Sequence, residues 1–507
     1  MHLQTLIAFA LVFLHSDGQW SKPLYSDPGG RWTLGLLAGQ VAIITLAAWG
    51  ASRRAVRVLA AGPQRLEAAQ RFHHRAMTVL KLLVTGAFAL DMLVTPWPDR
   101  VYGLGFSAPL KILADLLVLM PFAAGVTAVW WFAYPVDRAM RDRLGTSLES
   151  NAVRPVWSRS HFLNFNLRHH VLVIAVPITL ILYVSNLTEG YAEAIRRRLF
   201  GWPYAPDVLL GAVALMIFAA APLLLRRIWL TRPLEAGALR RRLETLCERI
   251  GMRCREILVW NSDGMMINAA VMGLSPRVRY VLLSDGLLET MDERQIEAVF
   301  GHEAGHIRLH HIEFFLMFAF VTMLAVSGAM EALYRCGLSS TWVEVSGGAM
   351  AVVVWGMGFG WVSRRFERQA DLFGVRCVTP DAQTCRVPCS VHPSVPLADD
   401  PPASPGREVA NHPHGVCATA AHWFASALDR VAVLNGIPHE ERSWRHSSIG
   451  SRIRFLMSLA NDPNRAAGFD RLIGRIKTTL WVSSVAGAAL ATYYYVAADP
   501  VLLKPYR

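Results

Sequence analysis

The residues best suited to chemistry in this sequence are His302, Glu303 and His306, which form the run His-Glu-Ala-Gly-His. On a helix, residues four apart lie on one face, so both imidazoles can reach one metal ion. Zinc suits such a pair because it binds neutral imidazole and keeps an open coordination position. Glu303 projects beside the pair and can take a proton from a water molecule. The run therefore predicts a hydrolytic metal site, and the alternative is a chance match on a surface helix.

A third protein ligand must come from elsewhere, because two histidines leave zinc one ligand short. One extended form of the motif would place a third histidine where Ile312 stands, so that form is excluded. His310 and His311 follow too closely along a helix to complete a tetrahedral site. We expect both to be interfacial residues ahead of the next apolar block; the less favoured alternative is that they assist the site electrostatically.

Glu367 and Asp371 follow a long apolar hairpin and are four residues apart on a predicted helix. Glu367 can be the carboxylate ligand, and Asp371 can accept a hydrogen bond from a ligating histidine, as carboxylates behind metal ligands commonly do. Taken alone, this segment would be a solvated charged helix with ion pairs along one face. Beside the two histidines, the metal-ligand interpretation is favoured.

Short β-like runs precede the motif helix. They are Glu256–Trp260, Met265–Met272 and Val278–Leu283, and turn-forming residues separate them. This spacing predicts a small antiparallel meander. Thr290 then begins the helix that carries the motif, with Glu293 in the capping-box position.

The composition is that of a membrane protein. The chain is 53% hydrophobic and 18% charged, whereas a soluble chain carries about 25% charged residues. A spanning helix needs about 20 apolar residues, and a shorter run at Leu3–Leu14 is either a further span or a signal peptide. We therefore predict eight or nine spans. The eight longer blocks are Leu34–Gly50, Ala76–Leu93, Leu110–Ala133, Val171–Val184, Val208–Leu225, Phe314–Leu333, Val345–Val362 and Ile476–Val496.

The loops between these blocks alternate between Arg-rich and Arg-poor, with Arg196–Arg198 as the exception. By the positive-inside rule the Arg-rich loops are cytoplasmic, which places the polar regions 229–312 and 363–475 on that side. That compartment is reducing, so we expect the cysteines to be free thiols. These loops also account for the net charge of +13. No basic helix is interleaved with stacking aromatics, so nucleic acid is not expected as a partner.

The sequence thus predicts a mainly α, polytopic protein whose cytoplasmic α+β domain is interrupted by membrane segments. The expected parts are an N-terminal membrane region at 1–228, a first polar part at 229–312, a membrane hairpin at 313–362, a second polar part at 363–475, and a last span with its tail at 476–507.

The motifs together resemble a known family. H-E-x-x-H, an apolar hairpin and the run Ser363–Asp371 are similar to the membrane gluzincins that include bacterial HtpX and the eukaryotic CAAX prenyl protease. The resemblance includes Val281–Leu288 and the strand Asn268-Ala269-Ala270. It implies a gluzincin-like metallopeptidase domain with one Zn²⁺ per chain, a bacterial inner-membrane location, and a strand at 268–270 that pairs with extended substrate backbone.

A later segment, Trp444–Ile453, resembles the family's H-P-x-x-x-x-R run, with Ser447 in place of the usual proline. The resemblance implies that His446 and Arg452 help to stabilise the transition state, with Arg452 close to the substrate. The alternative is an N-capped basic helix on the surface.

The stretch 379–416 has no periodic apolar pattern and is predicted to be a loop. A disordered insertion is favoured by its composition. A lid over the zinc cleft is a second interpretation. A second metal site is a third, and the lack of a C-x-x-C pair counts against it. The stretch holds eight prolines and Cys385, Cys389, His392, His412 and His414, between the flanking Cys377 and Cys417.

Three functions remain open from the sequence. The favoured one is a zinc-dependent endopeptidase in the bilayer that cuts membrane-associated polypeptides, for quality control or for processing. A catalytically silent relative that binds membrane proteins as an adaptor is the second, and the intact Glu303 argues against it. A transporter or channel with an accidental motif is the third, and it would need charged residues along the spans, of which there are few.

Overall fold

The computed structural model describes residues 2–16, 23, 25–147, 158–264, 266–381, 385, 391–392, 415–435, 437–441 and 444–498. The described chain is mainly helical and forms two compact units. The first unit contains residues 1–231 and 260–265, and the second contains residues 232–259 and 266–507. The predicted metal ligands all belong to the second unit.

The first unit is a bundle of apolar helices around a core that includes Phe88, Phe122 and Leu182. Inside this bundle, Tyr102 and Asn186 both donate to the buried carboxylate of Asp115, at 2.8 Å each. The helices are α1 (His2–Ser16), α2 (Arg31–Ala60), α3 (Leu66–Val94), α4 (Trp97–Tyr102), α5 (Lys111–Val118), α6 (Met120–Ser147), α7 (Arg159–Asn166), α8 (Val173–Gly190), α9 (Ala192–Arg198) and α10 (Ala205–Ile228).

The second unit combines a small sheet with nine helices, counted over the described residues. Its strands are β1 (Thr231–Pro233), β2 (Glu256–Trp260), β3 (Ala269–Met272) and β4 (Tyr280–Ser284). Its helices are α11 (Ala238–Arg249), α12 (Asp285–Thr290), α13 (Glu293–Arg308), α14 (His311–Arg335), α15 (Ser340–Val353), α16 (Gly360–Cys377), α17 (Ala418–Leu434), α18 (Ile449–Asn461) and α19 (Pro463–Ala498).

Several helices are long and apolar enough to cross a membrane, so the chain is an integral membrane protein. A bent pair, Ala108–Val118 with Met120–Asp142, would add one more span. The predicted spans Leu3–Leu14 and Ile476–Val496 fall within α1 and α19, and both stay predictions. Within the described residues, the six clear candidates are Arg31–Ala60, Ala68–Val94, Arg159–Gly190, Ala205–Ile228, His311–Arg335 and Trp342–Cys377.

The sheet corrects the predicted meander. A meander would place β3 between its sequence neighbours, but the strand order is β1-β2-β4-β3 and the sheet is mixed. The β3 and β4 strands are antiparallel, with Ala269 opposite Leu283. The reason is burial: β4 is buried along its whole length, which suits an inner strand, whereas β3 is half-buried, which suits an edge.

The motif helix begins later than predicted. Thr290 ends the short helix α12, and α13 begins at Glu293 with Asp292 as its N-cap. Asp292 accepts from the backbone N–H of Gln295 at 2.8 Å, while the Gln295 side chain accepts from the backbone N–H of Asp292 at 3.3 Å. The sequence contains two overlapping capping boxes, and the extended backbone at Met291 selects the second one.

Small residues allow the helices α13 and α16 to cross at close range. A Cβ added at Gly305 would lie 3.2 Å from the Cα of Ala370, and one added at Gly301 would lie 2.9 Å from the Cβ of Cys377. On the opposite helix, a Cβ at Gly374 would meet the backbone N of His302 at 3.0 Å. The crossing therefore needs glycine on both helices, and it brings the faces with the predicted ligands together.

Candidate metal centre

The three predicted metal ligands converge on one point: His302 and His306 come from α13, and Glu367 comes from α16. The Nε2 atoms of His302 and His306 are 3.3 Å apart. The carboxylate of Glu367 lies 3.6 Å from the first of these atoms and 3.8 Å from the second. All three ligand atoms lie within 4.8 Å of one another. We call this group the HExxH centre.

The donor set of the HExxH centre fits zinc. Two imidazoles and one carboxylate are the ligands of a catalytic zinc site, which leaves a further position open. Burial lowers the pKa of His306 to about 4, so this imidazole is neutral near pH 7, the form that binds a metal. Glu367 is buried, and a buried carboxylate needs a positive partner, which a metal ion supplies.

Asp371 lies behind His302, as the sequence reasoning expected of it. Its Oδ1 is 2.9 Å from His302 Nδ1, the ring nitrogen that faces away from His306. Asp371 is fully buried and also forms a two-pronged ion pair with Arg452, in which Arg452 Nε donates to Oδ2 at 2.8 Å. The carboxylate thus fixes the orientation of a ligand, and the guanidinium fixes the carboxylate.

Arg452 therefore lies in a different place from the one that the resemblance implied. We expected it at the substrate, but it is buried and directed at Asp371. The alternative was an N-capped basic helix on the surface. The N-cap is present, since Ser448 at the start of α18 accepts from the backbone N–H of Ser451 at 3.3 Å, but Arg452 on this helix is buried. In this structure Arg452 acts on the HExxH centre through Asp371.

His446 does reach the HExxH centre. Its Nδ1 lies 2.9 Å from Oε2 of Glu367, and its side chain is 46% exposed. Nearby, Trp444 Nε1 donates to the carbonyl of Gly356 at 2.5 Å, and Arg364 donates to the Trp444 carbonyl at 2.9 Å. These contacts hold Trp444 against α16 and the residues just before it. His446, two residues further on, is therefore fixed in position while its side chain stays open to solvent.

His311 is a residue of the site, although the favoured interpretation of the sequence was an interfacial position. It is fully buried, and its ring stacks on Phe366. Its Nδ1 lies 3.0 Å from Nδ1 of His306, and its Nε2 lies 2.9 Å from Oε1 of Gln369. If Nε2 of His306 binds the metal, its Nδ1–H donates to His311, whose Nε2–H donates to Gln369.

The reason for this miss is a break in the helix. His310 has a left-handed backbone with φ 58°, and α14 begins at the next residue. Spacing on one continuous helix would direct His311 away from His306, but the break turns it back. No pattern in the sequence marks this break, since neither glycine nor proline stands at residues 307–312.

Glu303 lies between the HExxH centre and the edge of the sheet. Burial raises its pKa to about 7, and the backbone N–H of Val271 donates to its carboxylate.

The edge strand β3 pairs with β4 on one side only. The backbone N–H of Ser284 donates to the carbonyl of Asn268 at 2.9 Å. Hydrogen bonding alternates along an antiparallel pair, so the backbone groups of Ala269 and Val271 point outward from β4. Among the predicted strand residues, Ala269 thus has its backbone groups directed away from β4, whereas Ala270 and Asn268 pair with β4.

A pair of histidines four apart, a glutamate from a second helix and a half-buried glutamate beside them are arranged as a gluzincin-type metal centre requires. Residues 233–444, which contain most of this centre and its supports, match peptidase family M48. This match covers less than half of the chain, and it confirms the family resemblance seen in the sequence.

Individual relatives match over shorter stretches. A protease HtpX homolog of Bacteroides fragilis is 26% identical over 132 residues, which cover 25% of this chain and 40% of that protein. CAAX prenyl protease 1 of Saccharomyces cerevisiae is 29% identical over 105 residues, or 20% of this chain and 23% of that protein. The match spans less than half of either relative. The crystal structure of S. mikatae Ste24p overlaps 86% of this chain and 100% of its own, at 14% identity and a TM-score of 0.36.

Proposed function

We propose that this protein is a zinc-dependent endopeptidase of the membrane that hydrolyses peptide bonds in membrane-associated polypeptides. The observation that carries the proposal is the convergence of His302, His306 and Glu367 with a half-buried Glu303 beside them. The match of residues 233–444 to a peptidase family and the apolar helices support it. The names of the bacterial and yeast relatives, a protease and a prenyl protease, agree with this class of reaction.

The residues of the chain divide the chemistry among them. His302, His306 and Glu367 would hold the zinc ion, which when bound supplies a Lewis acid that polarises a carbonyl and acidifies water. Glu303 takes the proton of the attacking water and later delivers it to the leaving amine, for which a pKa near 7 is well matched. His446 is exposed toward solvent and is placed to donate to the developing oxyanion.

The edge strand β3 would hold the substrate. The backbone N–H and carbonyl of Ala269 and the carbonyl of Val271 point outward and can pair with an extended peptide, as in β-augmentation. Because Val271 also donates to Glu303, a peptide on this edge lies directly beside the catalytic carboxylate. Sequence preference would then be weak, since backbone pairing does not depend on side chains.

The position of the HExxH centre favours substrates at the membrane. The helix α14, which is apolar enough to span, begins five residues after His306. The ligand Glu367 lies on the last turns of the second span candidate, Trp342–Cys377. We propose a bacterial inner-membrane protein with the centre at the cytoplasmic face, on the basis of the arginine distribution. Whether its task is quality control or processing depends on the substrate.

The test of the peptidase proposal combines zinc content with cleavage. The full-length protein is purified in detergent, and its zinc content and its cleavage of a mixture of quenched fluorescent peptides are measured. The Glu303→Gln variant should keep its zinc and lose cleavage by roughly 10²-fold or more, the scale of general acid–base catalysis. The matched control is Glu297→Gln, on the same helix but paired with Arg242 at the surface, which should leave cleavage unchanged.

Two outcomes would contradict the proposal. Wild-type protein without zinc, or cleavage that Glu303→Gln leaves intact, would remove the assigned chemistry. Zinc without any cleavage by the wild-type protein would instead indicate the adaptor function.

The orientation has its own test at Cys336. This residue is exposed at the tip of the hairpin between α14 and α15, whereas Cys247 and Cys377 are buried and would label poorly. An impermeant thiol reagent should label Cys336 from outside intact cells, and Cys336→Ser should abolish the signal. Labelling that requires disrupted cells would place the HExxH centre on the opposite face.

A further inference from the structure

A second group of metal-binding side chains lies where the 379–416 stretch meets α17. It consists of Cys385, His392 and Cys417, with one ligand atom from each residue within 4.8 Å of the others. Cys417 immediately precedes α17, and Cys385 and His392 come from the stretch that leads to it. Among the described residues, this group and the HExxH centre are the two sets able to hold a metal ion.

The separation of the two sulfurs matches shared metal ligation. Cys385 Sγ and Cys417 Sγ are 3.5 Å apart. Two thiolates at about 2.3 Å from one tetrahedral zinc ion lie roughly 3.8 Å apart, whereas the sulfurs of a disulfide are separated by about 2.05 Å. Two thiolates and an imidazole are soft donors that select zinc over magnesium or calcium.

The group is anchored on a rigid element. Cys417 is 1% exposed and occupies the N-cap position of α17, where the partial positive charge of the helix end stabilises a thiolate. Cys385 Sγ also lies 3.5 Å from Oγ1 of Thr419, a buried residue in the first turn of that helix. The backbone N–H of Cys385 donates to the carbonyl of Asp381 at 3.1 Å.

We propose that Cys385, His392 and Cys417 bind a structural zinc ion, separate from the one expected in the HExxH centre. A fourth donor from solvent or from this chain completes the tetrahedron. The spacing follows no C-x-x-C pattern, which is why the sequence counted against a metal here. Of the three interpretations of the 379–416 stretch, the second metal site is the one that this geometry favours.

The consequence for the fold follows from the position of α17. This helix packs against α13, and its Phe424 ring lies 6.3 Å from the His302 ring. The same phenylalanine fills the space beside Gly374, where an added Cβ would approach it to 2.5 Å. A zinc ion that joins Cys385 to Cys417 would close a 32-residue separation and hold the N-terminus of α17 in place. The zinc ion would thereby also stabilise the position of Phe424, which packs near His302.

The first test needs no substitution. The full-length protein, purified in detergent under reducing conditions, should contain about two zinc ions per chain. After exchange into Co²⁺ it should show the thiolate-to-cobalt charge-transfer absorption in the near ultraviolet, which a site of histidines and a carboxylate cannot give. One zinc ion per chain without this absorption would overturn the proposal. So would a disulfide between Cys385 and Cys417, detected as thiols that resist alkylation until they are reduced.

Substitutions then assign the ligands. Cys417→Ser and His392→Ala should each lose about one zinc ion and the thiolate absorption. The matched controls Cys336→Ser, at an exposed cysteine, and His422→Ala, an exposed histidine on α17, should keep both. His302→Ala should lose the other zinc ion and keep the thiolate absorption, so the second site can be established or refuted whether or not the protein is a peptidase. Unchanged zinc content in Cys417→Ser and His392→Ala would overturn the assignment.

Discussion

Asp371→Asn is the substitution that separates metal support from fold stability most directly. The carboxylate of Asp371 has two partners: Nδ1 of His302, at 2.9 Å, and the guanidinium of Arg452, which it meets with both oxygens. Asp371 is 0% exposed and Arg452 is 8% exposed. Asparagine keeps the shape of the side chain but removes its charge, so both partners lose an ionic acceptor while the packing stays the same.

The two losses have different sizes. A hydrogen bond to a charged group contributes about 1.5–3 kcal/mol, which at about 1.4 kcal/mol per tenfold corresponds to roughly 10- to 100-fold weaker zinc binding. The same range is found when carboxylates behind metal ligands are removed in other proteins. The effect on stability is larger, because the substitution leaves the buried guanidinium of Arg452 without its charged partner. Removing one partner of a buried ion pair lowers the free energy of unfolding by about 3–5 kcal/mol.

The assay measures both quantities on the same preparation. Zinc affinity comes from competition with a chelating indicator, and stability comes from urea unfolding followed by tryptophan fluorescence. The matched control is Glu440→Gln, which removes one half of an equally two-pronged ion pair with Arg454 at an exposed site. It should change neither quantity measurably, because exposed pairs contribute little.

A double substitution decides between the two contributions. Asp371→Asn with Arg452→Met removes the stranded charge and should recover much of the stability, but it should leave zinc binding weak. Full recovery of zinc affinity in the double variant would mean that Asp371 serves only to neutralise Arg452. Unchanged zinc affinity in the single variant would refute its role behind His302 altogether.

Three further outcomes follow from the contacts. His311→Phe keeps the stacking on Phe366 but removes the contact with His306, and roughly 10- to 100-fold weaker zinc binding is expected by indicator competition; wild-type affinity would show that His311 only packs. Gly305→Val forces α13 from Ala370, so zinc content and melting temperature should both fall, and a wild-type value of either would contradict the crossing. Removal of zinc with a chelator should abolish peptide cleavage, and added zinc should restore it; cleavage by the metal-free protein would rule out the proposed chemistry.

The parts of the site that helix periodicity governs were accessible from the sequence. His302 and His306 lie one turn apart on a single helix, and so do Glu367 and Asp371, so each pair shares a face once the helix forms. The structure brings these faces together as that reasoning required. The family resemblance, which rests on the same residues, was predicted for the same reason and is confirmed.

The parts that depend on how segments approach in space were not accessible. Arg452 follows Asp371 by 81 residues, and only the packing of α18 against α16 directs it there. The position of β4 inside the sheet depends on burial from both faces, whereas its sequence fits a meander equally well. The second metal group is a further example, because its three residues follow no familiar spacing and meet only where α17 begins.

The glycine crossing explains how a site shared between two helices can hold a metal beside membrane segments. Sliding α16 by one residue would move Glu367 by about 1.5 Å along the helix axis, whereas metal–ligand distances must hold within about 0.2 Å. Apolar side chains of similar size would tolerate such a slip. Backbone packed on backbone at Gly301, Gly305 and Gly374 does not, because any shift brings larger neighbours into the contact. The glycines that allow the ligands to meet therefore also hold α13 and α16 in register, so a shift of α16 along α13 would displace Glu367 from the two histidines.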